Sequence, residues 1–138
     1  MAELKNIFDV AGRAMSAQLV RLNTIASNLA NANNVAGSAE ETYKPIRPIF
    51  ETKFSDRIKE NGIATVDAVS IEALDRDAEK IHMPDHPKAD KDGYIYNAPV
   101  NVEEEMVEML EASRQYQNNV EVVSTLRALM MRTLNMGK

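Results

Sequence analysis

Cysteine is absent from the 138 residues, which excludes disulfides, thiolate chemistry and cysteine-ligated zinc. Tryptophan is absent too, and aromatic residues make up only 5% of the chain. A large core built on rigid aromatic anchors is therefore excluded. Positive charge is short: 16 Lys and Arg stand against 21 Asp and Glu, for a formal net charge of −5. A non-specific nucleic-acid binder needs a basic stripe to displace counterions, so no nucleic-acid partner is expected. No apolar run approaches the ~20 residues that span a bilayer, and no direct membrane insertion is expected. The stretch from Met1 to Asp9 lacks a basic n-region, a continuous apolar core and a cleavage signature. The chain is thus expected either to stay in the cytosol or to leave by a route without a cleaved signal peptide.

What remains is 44% hydrophobic, much of it Ala and Met. Flexible, polarizable Met serves equally as a filler of core gaps and as an adaptable contact surface. Leu4, Phe8, Ala11, Met15, Gln18, Leu22, Ile25, Leu29 and Ala32 follow one another at steps of four and three. That is a heptad-like helical seam with one polar interruption, Gln18. Asn33, Asn34 and Gly37 supply the stop, because Asn and Gly tolerate left-handed geometry at a helix end. A second stripe runs through Met106, Met109, Ser113, Tyr116, Val120, Val123, Met130 and Leu134, widened by Val107, Leu110, Leu126 and Leu129. Pro99 precedes it, Asn101 is a good N-cap and Glu104 takes the capping-box position. Glu103, Glu104 and Glu105 suit the positive end of the helix dipole, and Gly137 closes the segment.

Between the two helices lie all five prolines, which rules out a long helix there. Runs compatible with strands appear at Ile46–Phe54 and Ile63–Ile71, with a turn at Asn61-Gly62, and at Tyr94–Tyr96 after Asp92-Gly93. The predicted fold is α+β: long terminal helices packed in coiled-coil fashion around a small β-rich middle. The expected organisation is an N-terminal helix in 1–35, an outer module with loops in 36–100 and a C-terminal helix in 101–138. An antiparallel helix pair covers one face of each stripe, and the stripes are wider than one seam needs. Apolar surface is therefore expected to remain for other chains.

The search for chemistry turns up little. His82 and His86 are four apart, a metal-binding spacing on a helix, but Pro84 and Pro87 exclude a helix there. A solvated loop is the simpler reading, and no metal or cofactor is expected. Asp90-Lys91-Asp92-Gly93 has its glycine at the fourth position where a calcium loop has it at the sixth, and Asn101 stands where the closing Glu belongs. An Asp-Gly turn explains it better. No nucleophile elbow or phosphate loop occurs, and no enzymatic activity is expected.

Ala26-Ser27-Asn28-Leu29-Ala30-Asn31-Ala32 is unusual, because two asparagines sit in a helix that gains nothing locally from them. This segment resembles the N-terminal signature of the bacterial flagellar rod and hook axial proteins. Asn6–Gly12 and Gln18–Asn23 resemble the opening of the FlgC-type rod proteins. His86-Pro87, Asp92-Gly93-Tyr94, Asn101-Val102, Glu105-Met106-Val107, Ala112–Tyr116, Asn119–Val122 and Thr133–Gly137 follow that family's order. The resemblance covers both termini, while the region around 36–80 carries little of it.

The resemblance implies a structural subunit of the proximal rod of the flagellar basal body, which transmits torque across the periplasm. Its implied partners are other copies of itself, related rod subunits and the flagellar type III export apparatus. Leu22, Ile25, Asn28, Leu29 and Asn31 on the first helix, with Tyr116, Val120, Val123, Met130 and Leu134 on the second, are the expected subunit interface. Thr24, Asn28 and Asn31 form a polar stripe that is either solvated or paired with adjacent subunits. The alternative function is a cytosolic helical-hairpin adaptor or export chaperone.

Overall fold

A computed structural model describes residues 2–54 and 64–137. The steps of three and four residues form α1, Ala2–Ala30. It ends two residues before the last seam position, and a left-handed asparagine does not end it. The Asn31 side-chain amide donates to the Ser27 carbonyl at 2.8 Å, competing for the backbone and closing the last turn. Gly93 is the one described residue with a positive φ. The chain then turns directly into a short strand, β1, Val35–Ala36.

The second stripe forms α2, Val102–Met136. Its 35 residues extend about 52 Å at ~1.5 Å per residue. Asn101 is the N-cap, accepting from the backbone amides of Glu103 and Glu104 at 3.0 and 3.1 Å. The Glu104 carboxylate does not turn back to complete a capping box; it pairs with Arg76.

The middle divides into two antiparallel sheets. β2, Ile46–Phe54, pairs with β3, Ala64–Ala73, in a two-stranded ladder with a register shift between Ile49 and Phe50. The Asn61-Gly62 turn and the first residue of the expected Ile63–Ile71 run lie outside the described residues. β4, Glu79–His82, and β1 flank β5, Tyr94–Asn97, in a three-stranded sheet. The Asp-Gly turn is present: Asp90 Oδ1 accepts from the amides of Asp92 and Tyr94, and Gly93 takes φ +80°.

The helices run antiparallel, since Gln18 meets Gln115 while Asn28, farther along α1, meets Glu105, nearer the start of α2. α1 also packs against β2 and β3. Among the described residues the buried apolar side chains are mostly small, Ala11, Ala17, Ala32, Ala98 and Ala112, with Ile25, Ile95 and Pro45 of greater bulk. So thin a core leaves most of the large apolar side chains of α2 uncovered.

Candidate assembly interface

The seam read from the sequence is not the centre of the covered face of α1. Ile25 is fully buried, and with it Ala17, Thr24 and Asn28, whereas Met15, Leu22 and Leu29 on the seam are half-buried. Small and polar side chains let α2 and the β2–β3 ladder approach closely on that side. The bulkier seam residues stand at its rim, so one edge of the apolar stripe stays open.

The outward surface of α2 is more apolar than a solvated helix requires. Near its start Met106, Val107 and Leu110 are 52%, 64% and 61% exposed. Toward its end Val120, Leu129, Met131, Leu134 and Met136 are exposed as well. Singly exposed apolar residues mean little, but their concentration along one helix marks a contact surface.

The expected interface residues divide into three groups. Val120 and Leu134 are exposed; Leu22, Leu29, Asn31, Tyr116, Val123 and Met130 are half-buried. Ile25 and Asn28 have no exposed surface and are covered by the chain itself. Within the single chain both side chains are spent on its own packing.

Asn28 instead sits in a polar junction that joins three elements. Its Oδ1 accepts from the Ile46 amide at 2.8 Å and from the Tyr43 hydroxyl at 2.9 Å. Its Nδ2 donates to the Ile46 carbonyl at 2.9 Å and to Glu105 Oε1 at 3.2 Å. The Tyr43 hydroxyl also lies 3.1 Å from Ser27 Oγ. Glu105, almost wholly buried at the start of α2, is clasped by Arg47 of β2 through two contacts of 2.9 Å. A buried carboxylate needs such a partner, since its desolvation is otherwise uncompensated.

The neighbouring carboxylate extends the cluster to the surface. Arg76 donates two bonds of 3.1 Å to Glu104, and Arg47 stands 3.5 Å from it. The hydrogen bond from Arg76 holds the Glu104 carboxyl below its ordinary range, with the charges of Arg76 and Arg47 adding to the effect. Farther along the pair, Arg21 is bonded to Glu108, and Gln18 Nε2 donates to Gln115 Oε1 at 2.7 Å. The polar break at Gln18 is thus answered by a polar residue opposite.

The sequence gives Glu105 only a helix-dipole role, and it does not single out Tyr43 or Arg47. The acidic run at the helix start is the one signal that pointed there, because three successive glutamates exceed what a dipole needs. The two histidines are apart in use: His82 packs edge-on against Tyr94, and His86 Nδ1 accepts from the Lys88 amide.

Comparison with known proteins gives matches at both ends of the chain. Residues 8–37 match the family described as flagella basal body rod protein. Residues 91–136 match the one described as flagellar basal body rod FlgEFG protein C-terminal. The chain is 39% identical to the flagellar basal-body rod protein FlgC of Escherichia coli O6:H1, over 98% of each chain. It is 40% identical to that of Yersinia enterocolitica and 37% identical to that of Salmonella typhimurium, with the same coverage.

Proposed function

The chain belongs to the family of FlgC flagellar basal-body rod proteins, and from that premise we propose how its surfaces build the rod. It is a structural subunit of the basal-body rod and assembles there with other rod proteins. The finer reading is a place in the proximal rod, where the subunits join through their terminal helices and pass torque across the periplasm.

The observation that supports this reading is the set of uncovered apolar side chains along α2, among them Met106, Val107, Leu110 and Leu134. Burying each such side chain stabilises a contact by roughly 1.5–3 kcal/mol. The half-buried rim of α1, with Leu22 and Leu29, offers a second strip for the same purpose. Leu22, Leu29, Asn31, Tyr116, Val120, Val123, Met130 and Leu134 are the proposed interface residues that retain accessible surface. Delivery by the flagellar type III apparatus without a cleaved signal peptide, and function without a catalytic centre, complete the proposal. A cytosolic adaptor or chaperone draws no support from the relatives.

The test is fractionation of a strain whose only copy carries an epitope in the outer module. The chain should be found in detergent-extracted basal bodies at full length, starting at its own first residues. Recovery solely from the soluble cytosol would refute the reading.

A further inference from the structure

We propose that Asn28, Glu105 and Arg47 form the register determinant of the α1–α2 pair, and so decide which apolar faces the subunit presents. Both helices carry apolar residues at heptad-like spacing. The residues that meet between the helices are mostly small or polar, and so thin an alanine core resists a slip of seven residues only weakly. Polar layers are what discriminate between registers. A single buried polar residue is the best-attested device for that purpose.

The pair has two such amide layers, with the part-buried Arg21–Glu108 ion pair between them, and the two differ in quality. In the layer of Gln18 and Gln115 one amide bond forms, but Gln18 Oε1 is buried without a partner. In the layer of Asn28 every hydrogen-bonding capacity of the amide is used, two accepting and two donating. Its fourth partner is Glu105, whose charge is in turn held by Arg47 from β2. Register thus depends on the strand as well as the helices. A slip along α2 that carries Asn28 opposite Ala112 leaves the amide facing a methyl group. The same slip leaves the Glu105–Arg47 pair without its third member.

The consequence rests on the rod-subunit reading, because only in an assembly does the position of one helix face against another decide function. The register itself is read in the isolated chain, so the two can fail separately. Nitroxide labels at Asn23→Cys and Ala128→Cys are exposed, offset along the pair, and placed in a chain with no other cysteine. Double electron–electron resonance on the full chain should give one narrow distance. Asn28→Leu with Glu105→Leu should keep its helical circular dichroism and gain a second distance, from a slip of about 10 Å along the axis. Gln18→Leu with Gln115→Leu should keep the single distance. A single native distance in the Asn28→Leu/Glu105→Leu chain overturns the proposal. Should that chain lose its helices, Asn28→Leu alone, which keeps the Glu105–Arg47 pair, is measured in its place. A second distance there supports the proposal, and a single native distance overturns it.

Discussion

Arg47 embraces Glu105 end-on: Nη1 lies 2.9 Å from Oε2, and Nη2 lies 2.9 Å from Oε1. The two residues are 58 positions apart, and their bond fastens β2 to the first turn of α2. Glu105 is 1% exposed, so removing the arginine strands a charge that water cannot reach. Arg47→Met should therefore destabilise the chain by about 3–5 kcal/mol, the range for breaking a buried pair from one side. Replacing both, as Arg47→Met with Glu105→Leu, should recover much of that loss. Urea titration of the three chains gives the comparison, and equal midpoints for single and double variants would contradict it.

The two conspicuous asparagines should behave differently. Asn28→Ala leaves the Ile46 amide, the Ile46 carbonyl and the Tyr43 hydroxyl short of partners, at about 1–3 kcal/mol for each unsatisfied group. Asn31 is only half-buried; its Nδ2 donates to the Ser27 carbonyl, and its Oδ1 accepts from Asn34. Asn31→Ala should fall within about 1 kcal/mol of the parent, because only the bonds of a part-exposed side chain just past the helix end are lost. Separate thermal melts of the two variants decide the matter. Equal losses would mean that burial does not distinguish them.

These asparagines also mark the limit of what the sequence reveals. Two Asn three apart in a helix announce a special use, and periodicity places them beside the seam. The partners of Asn28, Ile46 and Glu105, lie 18 and 77 residues away, and no local pattern joins them. The long helices and the Ile46–Phe54 strand are legible because each carries its own period, and Asn101 because caps act within three residues. β1 has two residues and β4 four, too few to show alternation, so they escape notice. The covered face of α1 is hidden for another reason. Hydrophobic periodicity points to Met15, Leu22 and Leu29, while close approach selects the smaller Ala17 and Thr24.

Acid should weaken the fold through Glu104 and Asp90. Both carboxyls lie below their ordinary range, Glu104 by the hydrogen bond from Arg76 and Asp90 by the backbone amide of Tyr94. A lowered folded-state value means their stabilisation is present above the unfolded value, near 4, and is lost as pH falls through the folded one. Glu104 is substantially exposed, so its pairing with Arg76 is worth at most about 1 kcal/mol. Arg76→Gln should therefore flatten the acid limb of a stability–pH curve while changing little at pH 7. An unchanged acid limb would rule out this pair as a contributor.

Gly93 holds the one left-handed turn among the described residues, with φ +80°. A Cβ there meets Pro84 Cβ at 3.1 Å and His82 Nε2 at 3.3 Å. Gly93→Ala should loosen the β4–β5 pairing, at about 1–2 kcal/mol for the backbone strain alone. Hydrogen exchange should quicken at Met83, whose amide donates to the Gly93 carbonyl, and leave α1 unchanged. Protection of Met83 equal to the parent would show that the turn absorbs the methyl group.

Assembly and folding should separate on the outer face of α2. Val107 and Leu110 are 64% and 61% exposed, so charging them disturbs little packing within the chain. Surface changes of this kind usually lie within about 0.5 kcal/mol. Val107→Asp with Leu110→Asp should melt like the parent, yet each copy would present two carboxylates where an apolar contact is required. Desolvating an unpaired charge there is prohibitive, and the cost repeats at every subunit. The expected outcome is a folded chain, no recoverable rod and no swimming. Ile25→Asp is the contrasting variant: Ile25 is fully buried, so folding itself should fail. Normal swimming with intact basal bodies in the Val107→Asp/Leu110→Asp strain would remove this face from the interface. The half-buried rim of α1 around Leu22 and Leu29 would then be left as the contact to test.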